Sequence, residues 1–523
     1  MDPEDIGLES IESAEALVGS LSHRSAYDHR VGNIRVLDTH ISWIVLTGDF
    51  AYKIKKPVKL DFLDYSTLEK RKCCCELEVE LNRRWAPDIY LDVVPICGSR
   101  GSLIVGGTGT PIEYAVRMNQ FPQDAQLDAQ LAAGLLVNKD MVELAEKVAG
   151  IHAAIPVYVA SSGEGFLAAI RRQMFDNFDY LQDGIDQDDV QRLLAWTRQS
   201  LDDCRETLLA RYETGFVREC HGDLHLRNLV RLPSGVTPYD CVEFSVELRN
   251  IDVVSDVSFL VMDLVARGER RLAYAFINRY LECTGDYAGV TVLGLYFVYH
   301  ALIRAKIAVI RAIERKHETS RRHDRKETAH YCNVARWWTD FGTPRLIIMH
   351  GFSGSGKTWL SQQLMLRLSA IRVRSDIERK RMHGLREAER SGSAVGQGLY
   401  GPATSAGLYE RLAGFAESIL GTGHNVIVDA AFLDRGERDR FRELAERVGS
   451  EFVIISTSAA RDELHRRVET RQRIGGDPSE ADAAVLGHQF DHADALDADE
   501  RDSVIEVATD RPVDFDKVCK LIV

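Results

Sequence analysis

His221-Gly222-Asp223-Leu224-His225-Leu226-Arg227-Asn228-Leu229-Val230 is followed, past Pro233-Ser234-Gly235, by Tyr239-Asp240-Cys241-Val242-Glu243. The stretch puts Asp223 and Asn228 on one loop. Asp240 lies across a hairpin, because Leu229-Val230-Arg231-Leu232 and Thr237-Pro238-Tyr239 flank turn-forming residues. Phosphoryl transfer to a hydroxyl needs a carboxylate that accepts the hydroxyl proton, and an Asn and an Asp that hold magnesium against the ATP phosphates. Asp223 is therefore the candidate base, and Asn228 and Asp240 are the candidate metal ligands.

Upstream, Ser42 to Leu46 and Phe50 to Lys56 read as strands around the turn Thr47-Gly48-Asp49. A Lys on the strand after such a turn is placed to meet ATP phosphates, and Phe50-Ala51-Tyr52-Lys53 matches Val-Ala-Ile-Lys in its Ala and Lys. Lys53 is the candidate, with Lys55 a rival on the same face at period two; the competing structural reading is an edge strand decorated with Lys. The next helix, Leu68 to Trp85, carries Glu76, Glu78 and Glu80. Glu78 is expected to pair with the strand Lys, leaving the other two as surface charge. Ile34 to Leu37, Leu91 to Ile96, Ser102 to Val105 and Ile112 to Met118 complete a small sheet. Helical spacing sets in after Pro122, over Met141 to His152, Gly165 to Leu181, Val190 to Tyr212, Arg271 to Cys283 and Val290 to Ile313. A further helix, Ile6 to Leu21, is expected in front of the sheet.

His221-Gly222-Asp223-Leu224-His225 with Asn228, Asp240 and Asp256 resembles the aminoglycoside phosphotransferase and choline kinase group, which carries His-Gly-Asp where protein kinases carry His-Arg-Asp. The resemblance covers residues 30–335 and implies an α+β bilobal protein-kinase-like domain that uses ATP and Mg2+. No Gly-x-Gly-x-x-Gly precedes Lys53; Thr39-His40-Ile41-Ser42 stands in its place. Arg227 replaces a common Gly and adds positive charge. From Glu314 to Thr343 the chain is strongly charged, and a solvated helix with Trp337 and Trp338 packing at a domain junction is expected.

Pro344 marks a restart. Leu346 to Met349 is a short apolar strand, and Gly351-Phe352-Ser353-Gly354-Ser355-Gly356-Lys357-Thr358 follows it ahead of a helix, the context of a phosphate-binding P-loop. Gly351, Ser353, Gly354, Ser355 and Gly356 offer backbone N–H groups to phosphates, Lys357 reaches the β/γ oxygens, and the Thr358 hydroxyl takes magnesium. Asp376 and Arg379 follow the second strand at the carboxyl edge of the sheet. This Asp-x-x-Arg is similar to polynucleotide 5'-kinases, zeta-toxin-like and gluconate-kinase-like enzymes; that likeness makes Asp376 the base and Arg379 the acceptor-binding group. A helix N-cap is the alternative role for Asp376. Asp429, ending the strand Asn425 to Phe432, takes the Walker-B position toward magnesium. The Arg-rich helix Arg461 to Arg473 and Gly475-Gly476-Asp477 resemble a kinase lid, with Arg467, Arg471 and Arg473 as candidates to close on the triphosphate. The expected second domain is thus an α/β P-loop NTPase fold with a parallel sheet.

At 523 residues two or three domains are expected, here 1–340 and 341–523. The net charge of -14 argues against broad nucleic-acid coating or an anionic membrane surface. No apolar run reaches about 18 residues and the acidic start lacks a secretory pattern, so a cytoplasmic protein is expected. The ten Cys, Cys73-Cys74-Cys75 among them, read as packing thiols. The whole resembles a fused pair of ATP-dependent phosphotransferases, each acting on a small hydroxylated metabolite: a sugar, amino-sugar or nucleoside. Two alternatives stay open: a polynucleotide-end kinase in the second half, or one domain sensing nucleotide to regulate the other.

Overall fold

The strand Phe50–Lys55 shows how the first half is built. Its side chains alternate, so Tyr52 and Ile54 enter one apolar cluster with Trp43, Val45 and Leu17, while Ala51 enters the opposite one with Cys75 and Val79. Lys53 and Lys55 share the face of Ala51 and point at the helix Leu68–Asn82. The computed structural model describes residues 11–60, 63–99, 102–159, 162–181, 186–315, 317–340, 342–391, 401–474 and 478–522. The chain divides into two units: Met1–Ala169 with Ala210–Leu260, and Ile170–Leu209 with Val261–Val523.

The first unit holds a six-stranded antiparallel sheet. In spatial order its strands are Arg35–Asp38, Ser42–Leu46, Phe50–Lys55, Pro111–Asn119, Tyr90–Ser99 and Ser102–Val105. The helix Ile11–Ser20 covers one face through Ala14, Leu17 and Val18; the start expected at Ile6 lies outside the described residues. Thr67 caps the helix Leu68–Asn82 on the other face, its side chain accepting from Lys70 N–H. Within that helix Glu78 is buried while Glu76 and Glu80 are exposed. The segment from His221 to Asn228 follows the strand Val217–Glu219 and runs into a hairpin with Leu229 opposite Pro238 and Leu232 opposite Gly235.

The second unit holds helices and a five-stranded sheet in the order Ile371–Arg374, Val426–Asp429, Arg345–His350, Glu451–Ser458, Val504–Ala508, with every pair parallel. The first strand in sequence is central and the chain crosses over to both sides of it. This arrangement opens a crevice at the carboxyl ends. Ile371–Arg374 is an edge strand, and its outward backbone is not left bare: Asn278 Oδ1 accepts from Arg372 N–H at 2.6 Å and Asn278 Nδ2 donates to the Ala370 carbonyl at 3.0 Å. Asn278 belongs to the helix Arg270–Thr284.

Three helical expectations change. Gly165 to Leu181 is a helix over Gly163–Phe175 and a separate 3₁₀ turn over Phe178–Tyr180. Val190 to Tyr212 is two helices, Gln187–Asp203 and Arg205–Glu213, broken at Cys204, whose thiol donates to the Thr291 carbonyl at 3.4 Å. The charged stretch after Glu314 contains one helix, Glu318–Thr339, whose buried Thr328, Tyr331, Cys332, Ala335 and Trp338 form an apolar stripe packed on Val290–Glu314. It is half-buried rather than solvated all round. Trp338 stacks on Phe297 with centroids 4.0 Å apart and meets His424 edge-on at 4.9 Å, which joins the helices to the parallel-sheet fold. The segment Tyr287–Ile313 has the length and composition of a membrane-crossing helix, and 56% of its most apolar window is buried. All ten cysteines are free thiols, with Cys73 exposed and Cys75 buried.

Replacing Gly by Ala inside a helix normally gains about 1 kcal/mol. At Gly294 the sign reverses, because an added Cβ would lie 2.5 Å from Trp338 Nε1, and overpacking costs about 1–3 kcal/mol. Gly294→Ala should lower the melting temperature, whereas Gly150→Ala, on Asn138–Ala154 with nothing within 4 Å of the new Cβ, should not. Thermal denaturation of both variants checks the pair.

Candidate active sites

In the first unit, Lys53 Nζ donates to Glu78 Oε1 at 2.7 Å and to Asp240 Oδ1 at 2.5 Å. Lys55 Nζ donates to Glu78 Oε2 at 2.7 Å, to Tyr65 Oη at 3.2 Å and to Glu243, and Tyr65 Oη donates to Glu243 Oε1 at 2.5 Å. The two lysines therefore straddle one carboxylate. Burial pushes the Glu78 carboxyl up, but the Lys53 and Lys55 ammonium groups outweigh it and hold the group down at about 2. The lysines differ in access: the Lys55 side chain is 0% exposed, while Lys53 contacts Asp240, whose side chain is 38% exposed. Only Lys53 stands at an opening where a ligand could replace its partner.

Asp240 has a left-handed backbone with φ of 62°, which costs a non-glycine residue about 1–2 kcal/mol. Two hydrogen bonds hold it there: Asp240 N–H donates to Tyr90 Oη at 3.1 Å, and Cys241 N–H donates to Asn82 Oδ1 at 2.9 Å. Strain retained beside a carboxylate of this kind is characteristic of a working site.

The loop carrying Asp223 hangs on Asp256. Its carboxylate accepts from His221 N–H at 3.1 Å, Gly222 N–H at 2.8 Å and His152 Nε2 at 3.1 Å. Gly222 has φ of 79°, and a Cβ there would lie 2.7 Å from the Leu248 carbonyl oxygen, so the His-Gly-Asp glycine is a steric requirement. His221 Nδ1 accepts from Asp223 N–H at 3.3 Å and Nε2 donates to the Tyr239 carbonyl at 3.0 Å; burial lowers its pKa and keeps it neutral. Asn228 Nδ2 donates to Asp223 Oδ2 at 2.8 Å, which orients the carboxylate and leaves the Asn228 amide oxygen for a cation. Amide and carboxylate oxygens are the hard donors that magnesium takes, so Asn228 and Asp240 fit it. Arg227 reaches Asp128, 3.5 Å away, and its side chain is 58% exposed. His152, Cys220 and Asp256 are, among the described residues, one buried grouping of metal-capable side chains, but the Asp256 oxygens are spent on the three donors just named.

In the second unit, the loop 351–356 joins the strand Arg345–His350 to the helix Lys357–Leu368. Gly351, Gly354 and Gly356 all have positive φ; a Cβ would lie 2.5 Å from the Thr457 carbonyl oxygen at Gly351 and 2.8 Å from that of Leu464 at Gly354. The loop is thus a cradle only glycine can form. It is braced by Ser355 Oγ with Thr457 Oγ1 at 2.7 Å, and Ser353 N–H donates to Gln489 Oε1 at 2.8 Å. Lys357 Nζ spans the cradle to the carbonyls of Gly351 at 2.7 Å and Phe352 at 2.9 Å. Burial brings its pKa down to about 8, with Asp429 and Asp376 opposing and Arg471 assisting.

Asp429 ends its strand and accepts at Oδ2 from Ser361 Oγ at 3.0 Å, one helical turn past Thr358. Asp376 lies in the first turn of Ser375–Met382, where Arg374 is the cap residue, so Asp376 is not an N-cap. Arg379 Nη1 donates to Ser405 Oγ at 3.3 Å. Of the lid arginines, Arg467 supports the cradle from outside, donating to the Gly354 carbonyl at 3.2 Å and Thr509 Oγ1 at 2.9 Å. Arg471 is felt by Lys357 and donates to the Ala481 carbonyl at 2.8 Å, while Arg473 is exposed. The turn Gly475-Gly476-Asp477 lies outside the described residues. Arg372 and Arg374, absent from the sequence expectations, line the same sheet edge; only their period-two spacing ahead of Asp376 marks them.

Residues 346–496 match the family model of the AAA domain. Uncharacterized proteins of Mycobacterium tuberculosis and Mycobacterium bovis are 29% identical to the chain over 473 residues, covering 88% of it and 92% of their own length. Among solved structures, a choline kinase from Cryptosporidium parvum is 11% identical, covering 63% of this chain and 96% of that one, with a TM-score of 0.37. A gluconokinase from Sinorhizobium meliloti is 16% identical, covering 34% and 90%, with a TM-score of 0.25. The matched stretch contains the glycine cradle, Asp376 and Asp429.

Two outcomes follow from these charges. Lys55→Met should strip the cation from a fully buried network and destabilise the protein by about 3–5 kcal/mol; Lys53→Met, at the open edge, should cost less stability. Chemical denaturation of the two variants checks the order. In the second site, phosphate should raise the Lys357 pKa from about 8 toward its ordinary value near 10.5. ATP binding should then take up a proton between those pH values and none well below pH 8, measured by calorimetry in buffers of different ionisation enthalpy.

Proposed function

We propose that the chain is a bifunctional ATP-dependent phosphotransferase with two Mg-ATP sites, one in residues 1–340 and one in 341–523. Each transfers the γ-phosphoryl group to a hydroxyl of a small metabolite of the sugar, amino-sugar or nucleoside class. The observation that supports this reading is that each unit buries an ammonium group within reach of carboxylates: Lys53 with Glu78 and Asp240 in the first, Lys357 with Asp429 and Asp376 in the second.

In the first site, Asp223 takes the proton of the acceptor hydroxyl while Asn228 Nδ2 holds its other oxygen in place. The acceptor oxygen forms its bond to Pγ as the bond from Pγ to the β-γ bridging oxygen breaks, and ADP carries that electron pair away. Lys53, kept in place by Glu78, exchanges Asp240 for the phosphates, and the released Asp240 carboxylate with Asn228 would hold magnesium. In the second site Asp376 is the base, Arg379 binds the acceptor, and Lys357 moves from the Gly351 and Phe352 carbonyls onto the β/γ oxygens. Thr358 and Asp429 would hold the metal, and Arg471 is the lid arginine placed to meet the triphosphate. Magnesium supplies charge neutralisation of the phosphate oxygens at both sites.

Removing a general base typically costs about 10²–10⁴-fold. Asp223→Asn should therefore abolish turnover of one acceptor and Lys357→Ala turnover of another, each variant retaining the activity it does not own. Product formation across a panel of hydroxylated acceptors checks this. Full activity of both variants on every substrate turned over would sink the two-site reading.

A further inference from the structure

The helix Arg270–Thr284 precedes the P-loop strand by sixty residues of chain, yet it is built into the second site through two side chains. Asn278 takes the outward backbone groups of the edge strand, as described. One turn on, Glu282 Oε1 accepts from Arg372 Nη2 at 2.7 Å. The same guanidinium donates through Nη1 to the Thr358 carbonyl at 3.3 Å and to Ser361 Oγ at 3.3 Å. Ser361 Oγ carries one proton and lies 3.0 Å from both Asp429 Oδ2 and the Thr358 carbonyl, tying the helix's first turn to that carboxylate. Glu282, Arg372, Ser361 and Asp429 are all buried, and no water-exposed link interrupts the chain.

Glu282 is a buried carboxylate among four arginines. Arg372 is bonded to it, Arg374 Nη1 lies 4.0 Å away, Arg279 Nη1 lies 3.4 Å away, and Arg381 Nη2 donates to its backbone carbonyl. Burial pushes its pKa up, but Arg372 and Arg374 outweigh burial and the net shift is downward, so the group stays ionised. Arg374 stands between Glu282 and Asp429, 4.0 Å from each. An ionised Glu282 thus fixes both arginines that flank the residues assigned to magnesium.

We propose that Glu282 is a positioning residue for the second nucleotide site. Through Arg372 and Ser361 it sets the first turn of the P-loop helix and the Asp429 carboxylate, and so tunes the affinity of the Thr358–Asp429 oxygen pair for magnesium. The proposal rests on the assignment of that pair to Mg-ATP. It also makes the helix Arg270–Thr284 a working part of a site whose motif begins at Gly351. Outer groups that orient metal ligands are typically worth about 10–100-fold in metal affinity.

The test uses full-length protein carrying Lys53→Ala, which silences the first site, and reads binding of a fluorescent ATP analogue as magnesium is titrated. Glu282→Gln should raise the magnesium concentration for half-maximal binding about tenfold, with analogue binding in saturating magnesium retained. Ser361→Ala, which removes only the relay hydroxyl, should shift it in the same direction, and the double variant should show less than the sum of the two. If Glu282→Gln proves unstable by thermal denaturation, Ser361→Ala and Arg372→Lys decide the matter by the same readout. An unchanged magnesium midpoint in these variants, with binding lost in Lys357→Ala, overturns the proposal and leaves the site assignment standing. Binding that persists in Lys357→Ala overturns the assignment itself.

Discussion

A buried ammonium group keeps its charge only where carboxylates or backbone carbonyls surround it. Glu78 meets that constraint in the first unit by taking an ammonium on each oxygen at 2.7 Å. The strand Phe50–Lys55 and the helix Leu68–Asn82 must keep their register for this to hold, because a slip by one residue would send both lysines to the opposite apolar face. The second unit meets the same constraint with other residues. There Lys357 has, among the described residues, no ion-pair partner within hydrogen-bond reach and rests on backbone carbonyls, while Glu282 and Asp429 lie around Arg372 and Arg374.

The difference explains the pKa contrast. Lys53 sits among Asp240, Glu78 and Glu243, and although burial works against its charge these carboxylates carry its pKa well above the ordinary value. Lys357 has only distant carboxylates to oppose burial, and its pKa falls to about 8. One ammonium must be won from its partners by a ligand; the other waits for an anion to stabilise its charge. Anion binding at Lys53 and at Lys357 should accordingly differ in its proton linkage, as the same group type is charged in one and near titration in the other.

Much of this was legible in the residues. The P-loop and the parallel sheet announce themselves because glycine, lysine and threonine at fixed spacing after an apolar strand serve one backbone shape. The pairing partner of Lys53 could be narrowed to three glutamates, and helical periodicity alone ranks them by which faces the sheet. What was not legible is long-range. Glu282 and Arg372 are ninety positions apart, Tyr90 and Asp240 one hundred and fifty, and neither pair belongs to a motif. The break at Cys204, whose thiol reaches the Thr291 carbonyl, is marked by no local propensity. The buried stripe of the helix Glu318–Thr339 was obscured because many of its exposed positions, Glu318, Arg322, Arg325 and Lys326 among them, are charged and dilute it.

The amide of Asn278 satisfies the open rim of the parallel sheet as an additional strand would. A fragment beginning at residue 341, where sequence motifs suggest cutting, would leave the backbone of Ile371–Arg374 unpaired and free to recruit the same strand from another copy. Modularity in the linear chain is therefore not modularity of this sheet, whose open rim draws on a helix that precedes it in the sequence.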